Sequence, residues 1–215
     1  MTSLLILGVL GYAATLLGRD AQPVTERRTP SSAGRSHDVG KLEFRSAVSR
    51  PVPCGAVSGL QVAGATQADV DLLDEVLRGV CKNIRTVAAP AEARVVAAAR
   101  AGVVIGFAQF ERTGEDSATI EGTPRRVAIN TRFSVRGKSF KGYLAGVLLH
   151  ELVHAGAPVG AVSAEDEFLA RSLEIELCKI VVPNSEIGRS CSDAEAITEL
   201  GRDEALRRLR AAGYP

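Results

Sequence analysis

Hydrophobic positions change their spacing several times along the chain, and each change predicts an element. From Thr2 to Gly18 the run is uncharged and uniformly apolar, with Leu4, Leu5, Ile6, Leu7, Val9, Leu10, Leu16 and Leu17. After Thr66-Gln67-Ala68-Asp69, residues Val70, Leu72, Leu73, Val76, Leu77 and Val80 recur at helical spacing, and Thr66 is a suitable N-cap. A second short helix is expected across Ala91–Ala101. Val103–Phe110 reads as a largely buried strand, and Ala118–Ile120 as a short one between turns at Gly114-Glu115-Asp116 and Gly122-Thr123-Pro124. Arg126–Phe133 alternates, placing Val127, Ile129, Thr131 and Phe133 on one face. Gly137 breaks the chain, and Ser139 can cap a helix from Tyr143 to His154 that Gly156 and Pro158 stop. Ser163 caps another, packed through Phe168, Leu169, Leu173 and Leu177. Ser192–Ala212 reads as one or two surface helices, with Leu200, Ala205, Leu206 and Leu209 apolar and Arg202, Arg207, Arg208 and Arg210 exposed.

Composition divides the chain into three parts. The 1–18 segment is a signal peptide or a minimal membrane anchor, since a spanning helix needs about 20 apolar residues and a signal core fewer. Residues 19–50 are polar and rich in Pro, Ser, Thr and Arg, and predict a flexible linker that includes His37. Residues 51–215 form one domain, and a hydrophobic fraction of 46% over 215 residues supports a real core. A net charge of +1 and 4% aromatic residues without tryptophan argue against a nucleic-acid surface. Cys54, Cys81, Cys178 and Cys191 form no C-x-x-C pair. Behind an export-like segment, an even count suggests disulfides Cys54–Cys81 and Cys178–Cys191. The chain is thus expected to be exported, periplasmic or extracellular, or tethered to a membrane through residues 2–18.

One helix carries the chemistry. Two of the three histidines, His150 and His154, stand four residues apart in His150-Glu151-Leu152-Val153-His154. On a helix their Cβ atoms lie on one face about 5–6 Å apart, which allows both imidazoles to reach one ion at about 2.0–2.1 Å. Glu151 is rotated by about 100° from His150, beside the metal rather than on it, where it can accept a proton from metal-activated water. The structural alternative is a core helix whose histidines only form hydrogen bonds.

These residues resemble the active helix of the zincin metallopeptidases. The resemblance implies an α+β, zincin-like fold: a small mixed sheet, an active-site helix and a following ligand helix, preceded by the N-terminal apolar segment. Ala118–Glu121 would be the antiparallel edge strand, Arg126–Phe133 its neighbour, and an extended peptide would add to that edge. Gly160 stands where the metzincin branch has a histidine. The gluzincin branch instead takes a glutamate from a later helix, often followed three residues on by alanine. Glu167, with Ala170, is similar to that pattern; Glu165, then Asp166 and Glu174, are the alternative third ligands. The resemblance implies one Zn2+ per chain on His150, His154 and Glu167, with Glu151 as general base, and hydrolysis of peptide or protein substrates. Two further functions are a zinc amide hydrolase acting on cell-wall peptides and a non-catalytic zincin-like binding module. For the oxyanion, Tyr143 and Arg171 are near in sequence, but no motif places either in the site.

Overall fold

The structure, a computed structural model, describes residues 43–44, 46–55, 57–110, 116–134, 140–160, 162–182 and 191–215. The apolar segment 2–18, most of the polar stretch 19–50 with His37, the Gly114-Glu115 turn residues, Gly137 and Ser139 lie outside the described residues.

Three strands open the fold: β1 (Glu43–Phe44), β2 (Val48–Cys54) and β3 (Val57–Gly64). Residues 43–50 belong by composition to the polar stretch, yet they supply β1 and the start of β2. Their strand character is hidden because β2 is an end strand, and Pro51 and Pro53 are tolerated where a backbone donor is dispensable. Helix α1 (Gln67–Val87) starts at a capping box: the Thr66 hydroxyl accepts from the Asp69 amide, and the Asp69 carboxylate accepts from the Thr66 amide. Helix α2 (Ala89–Arg100) follows, then β4 (Val104–Gln109), β5 (Ser117–Ile120) and β6 (Arg126–Asn130). The alternating run ends three residues earlier than Phe133. The Asn130 side chain accepts from the Arg132 amide at 3.0 Å and turns Thr131–Phe133 into a 3-10 helix. The chain closes with α3 (Lys141–Ala155), α4 (Ala164–Val181), α5 (Ser192–Thr198) and α6 (Arg202–Ala211).

The strands form one mixed sheet in the order β2-β3-β4-β6-β5, with β1 paired to the end of β4. β3–β4 and β4–β6 are parallel; β2–β3 and β5–β6 are antiparallel, with Ala118 opposite Ala128. Period-two alternation sorts the side chains. Leu60, Val62, Ile105, Phe107, Val127 and Ile129 face the helices and the main core, whereas Ala108 and Ala128 join a smaller cluster with Phe110 and Ala118. α3 is buried all round, from Leu144 to Ala155, and its only polar residues there are His150, Glu151 and His154. Two glycines let its neighbours approach. A Cβ on Gly146 would lie 2.9 Å from Cys178 Sγ on α4, and one on Gly156 would lie 1.9 Å from the Arg94 carbonyl oxygen on α2. α6 is a surface helix that still packs inward, since Leu206 and Leu209 cluster with Ala164 and Tyr214.

Both expected disulfides are present: Cys54–Cys81 joins β2 to α1, and Cys178–Cys191 joins α4 to the start of α5. Together they point to an oxidising setting. No helix among the described residues is long and apolar enough to cross a membrane. Closing the 27-residue separation of Cys54–Cys81 constrains the unfolded chain by about 3–4 kcal/mol. The double Cys54→Ser/Cys81→Ser variant is therefore expected to unfold at clearly lower urea concentration. An unchanged midpoint would show that this crosslink contributes nothing.

Candidate metal centre

The site forms where the C-terminal half of α3 meets the first half of α4. Ser163 caps α4 by accepting from the Asp166 amide at 3.1 Å, and the three acids that follow then diverge around the helix. Glu165 pairs with Arg210 at the surface, and Asp166 with Arg94 at 3.0 Å. Only Glu167 turns into the core, where it is fully buried. Its Oε2 lies 3.6 Å from His150 Nε2 and 3.3 Å from His154 Nε2, and the two Nε2 atoms are 3.0 Å apart. His150, His154 and Glu167 thus form a buried group that could hold a metal ion.

Three observations test the fit. Ligands of a tetrahedral ion at about 2.0–2.1 Å stand about 3.3–3.4 Å from each other, a value the three observed separations bracket. Glu167 Oε2 is buried and accepts no hydrogen bond, which is costly unless a cation faces it. The buried charges also call for one. Glu151, Glu167 and Glu174 bring three carboxyl groups, and among the described residues Arg171 is the permanent cation set against them. A divalent cation that displaces the His150 proton makes that sum zero.

Titration behaviour follows from the same crowding. Burial would lower the His150 pKa, but the neighbouring Glu167 carboxylate, then Glu174, overrides it and raises the value to about 10. For Glu167, burial pushes upward and loses to the His150 charge, to the close approach of both histidine rings and to Arg171, so its carboxyl is held well below the usual range. His150 Nδ1 lies 3.0 Å from Glu174 Oε2. Donating Nδ1–H there fixes the ring and leaves Nε2 facing the other ligand atoms.

Glu151 is fully buried on the neighbouring face of α3. Its Oε1 accepts from Ser117 Oγ and its Oε2 from Thr119 Oγ1, both at 2.7 Å. Ser117 and Thr119 are two apart on β5, hence on the same face of the strand. β5 is the end strand antiparallel to β6, and its other edge pairs with no strand among the described residues. Arg125 seals the far end of α3, where its Nη1 donates to the Ala155 carbonyl at 2.7 Å.

Four polar groups around the centre have no motif to announce them: Ser117, Thr119, Arg171 and Glu174. Helical spacing does carry a signal for two of them. Glu167, Arg171 and Glu174 stand at i, i+4 and i+7 on a stripe that otherwise reads as core. Glu174 serves there as the partner of His150 rather than as a member of the ligand group. Tyr143 hydrogen-bonds Asp116 and packs on Phe133 and Phe140.

No protein family, no curated protein and no solved structure matches the chain.

Proposed function

We propose that the protein is a zinc-dependent peptidase in which His150, His154 and Glu167 hold one Zn2+ and Glu151 is the general base. The observation that carries this reading is a buried two-histidine, one-carboxylate ligand group with a further, non-ligating carboxylate on the next residue of the same helix. Three such donors would leave room for water on a bound zinc, as catalytic rather than structural zinc sites do. When bound, zinc acts as a Lewis acid and makes water acidic enough to ionise near neutral pH. Glu151 takes the proton from the attacking water on one of its oxygens and passes it to the departing amine. Ser117 and Thr119 hold those oxygens, so the carboxylate keeps one orientation through the transfer. The edge of β5 that pairs with no strand among the described residues offers backbone donors and acceptors to an extended peptide, and the hydroxyl bonds to Glu151 tie β5 to the site. The two disulfides support an exported protein, with residues 2–18 as its signal or tether.

Chelation tests the reading directly. Dialysis against 1,10-phenanthroline is expected to abolish cleavage of an unstructured peptide mixture, and stoichiometric zinc to restore it. Cleavage that survives metal removal would sink the proposal. The ion must also displace the proton that His150 carries at neutral pH. Calorimetry at about pH 6, below the ionisation of zinc-bound water, in buffers of different ionisation heat should therefore show about one proton released per zinc bound. Binding without proton release would contradict the assignment of His150.

One observation favours a second reading, a zinc-holding module that does not turn over. Glu151 is fully buried and both its oxygens already accept hydrogen bonds. One zinc per chain with no cleavage of any extended peptide would select that module.

A further inference from the structure

Glu167, Arg171 and Glu174 line one stripe of α4 and carry three charges into the core. Within that stripe the two oxygens of Glu167 have different surroundings. Oε1 accepts from Arg171 Nε at 2.6 Å, while Oε2 accepts no hydrogen bond and faces the two histidine Nε2 atoms. A carboxylate can approach a cation through one oxygen or through both. Two-oxygen ligation would draw Oε1 away from a guanidinium that is only 3% exposed, and breaking a buried ion pair is strongly unfavourable.

We propose that Arg171 is a positioning residue that restricts Glu167 to ligation through Oε2 alone, keeping a coordination position open beside His150 and His154. The inference rests on the zinc reading of the centre and specifies how many sites the protein leaves free. It also explains why a cation sits beside a cation-binding group: Arg171 meets Glu167 through Oε1, not through the oxygen that faces the histidines. Lysine would keep the charge but not the directed Nε–H of a planar guanidinium.

Cobalt(II) provides the test, because four-coordinate cobalt absorbs visible light several-fold more strongly than five- or six-coordinate cobalt. The full chain loaded with cobalt is expected to show the intense four-coordinate bands. In Arg171→Gln, Glu167 is free to bind through both oxygens. The bands should weaken several-fold, and chelator competition should show affinity lower by about 10–100-fold. Arg171→Lys should recover part of both. Arg94→Gln breaks a different α4 ion pair, with Asp166, and should change neither. A folded Arg171→Gln with the parent spectrum and affinity would overturn the proposal. Should that variant not fold, the parent and the lysine variant decide: weak bands in the parent, or parent-like bands and affinity in Arg171→Lys, overturn it equally. Failure of the parent chain to bind cobalt or zinc at all would instead remove the metal reading beneath it.

Discussion

Glu151→Gln is expected to keep one zinc per chain and to lose peptide hydrolysis by about 10²–10⁴-fold, the range a general base contributes. The substitution preserves shape, and Ser117 and Thr119 can still bond the amide because hydroxyl groups rotate to suit a donor or an acceptor. What it removes is the acceptor that takes a proton from water. Metal content by elemental analysis and kcat on a cleaved peptide read the two halves separately. A variant with full metal and full turnover would exclude Glu151 from the chemistry. One that loses the metal would show that Glu151 shapes the ligand group itself.

Glu167→Ala should have the largest effect on the fold as well as on the site. The ion loses one of its three protein ligands, and Arg171 loses the carboxylate that accepts from its Nε at 2.6 Å. Breaking a buried ion pair by removing one partner costs about 3–5 kcal/mol. For a chain of 215 residues each kcal/mol moves the melting temperature by about 2–4 °C, so a drop of about 6–20 °C is expected. The comparison is with the metal-free parent, which separates the ion pair from the stabilisation that metal binding itself adds. Calorimetric scans of both proteins after chelation check it. Equal melting temperatures would mean that Glu167 and Arg171 do not stabilise each other in the fold.

The group that could hold a metal ion was legible because metal ligation needs a fixed spacing. His150 and His154 must share a helical face, and that requirement shows in any sequence. Glu167 was harder, since the acids at the start of α4 also suit the helix dipole. Only the folded packing separates Glu167, turned into the core, from Glu165 and Asp166, which pair with Arg210 and Arg94. Ser117 and Thr119 were not legible: they act across a sheet–helix contact whose register no local pattern encodes. The early strands were missed for a related reason. Glu43–Phe44 gains its meaning only by pairing with the far end of β4, a contact that sequence spacing does not reveal. Helices fared better than strands because their periodicity is internal. The capping box of α1 and the serine cap of α4 were both written in consecutive residues.

The most direct measurement is elemental analysis of the full chain, purified without added metal or chelator. The account predicts one zinc per chain, lost together with peptide cleavage on prolonged chelation. A chain that holds no zinc, even after refolding in its presence, would contradict the central claim.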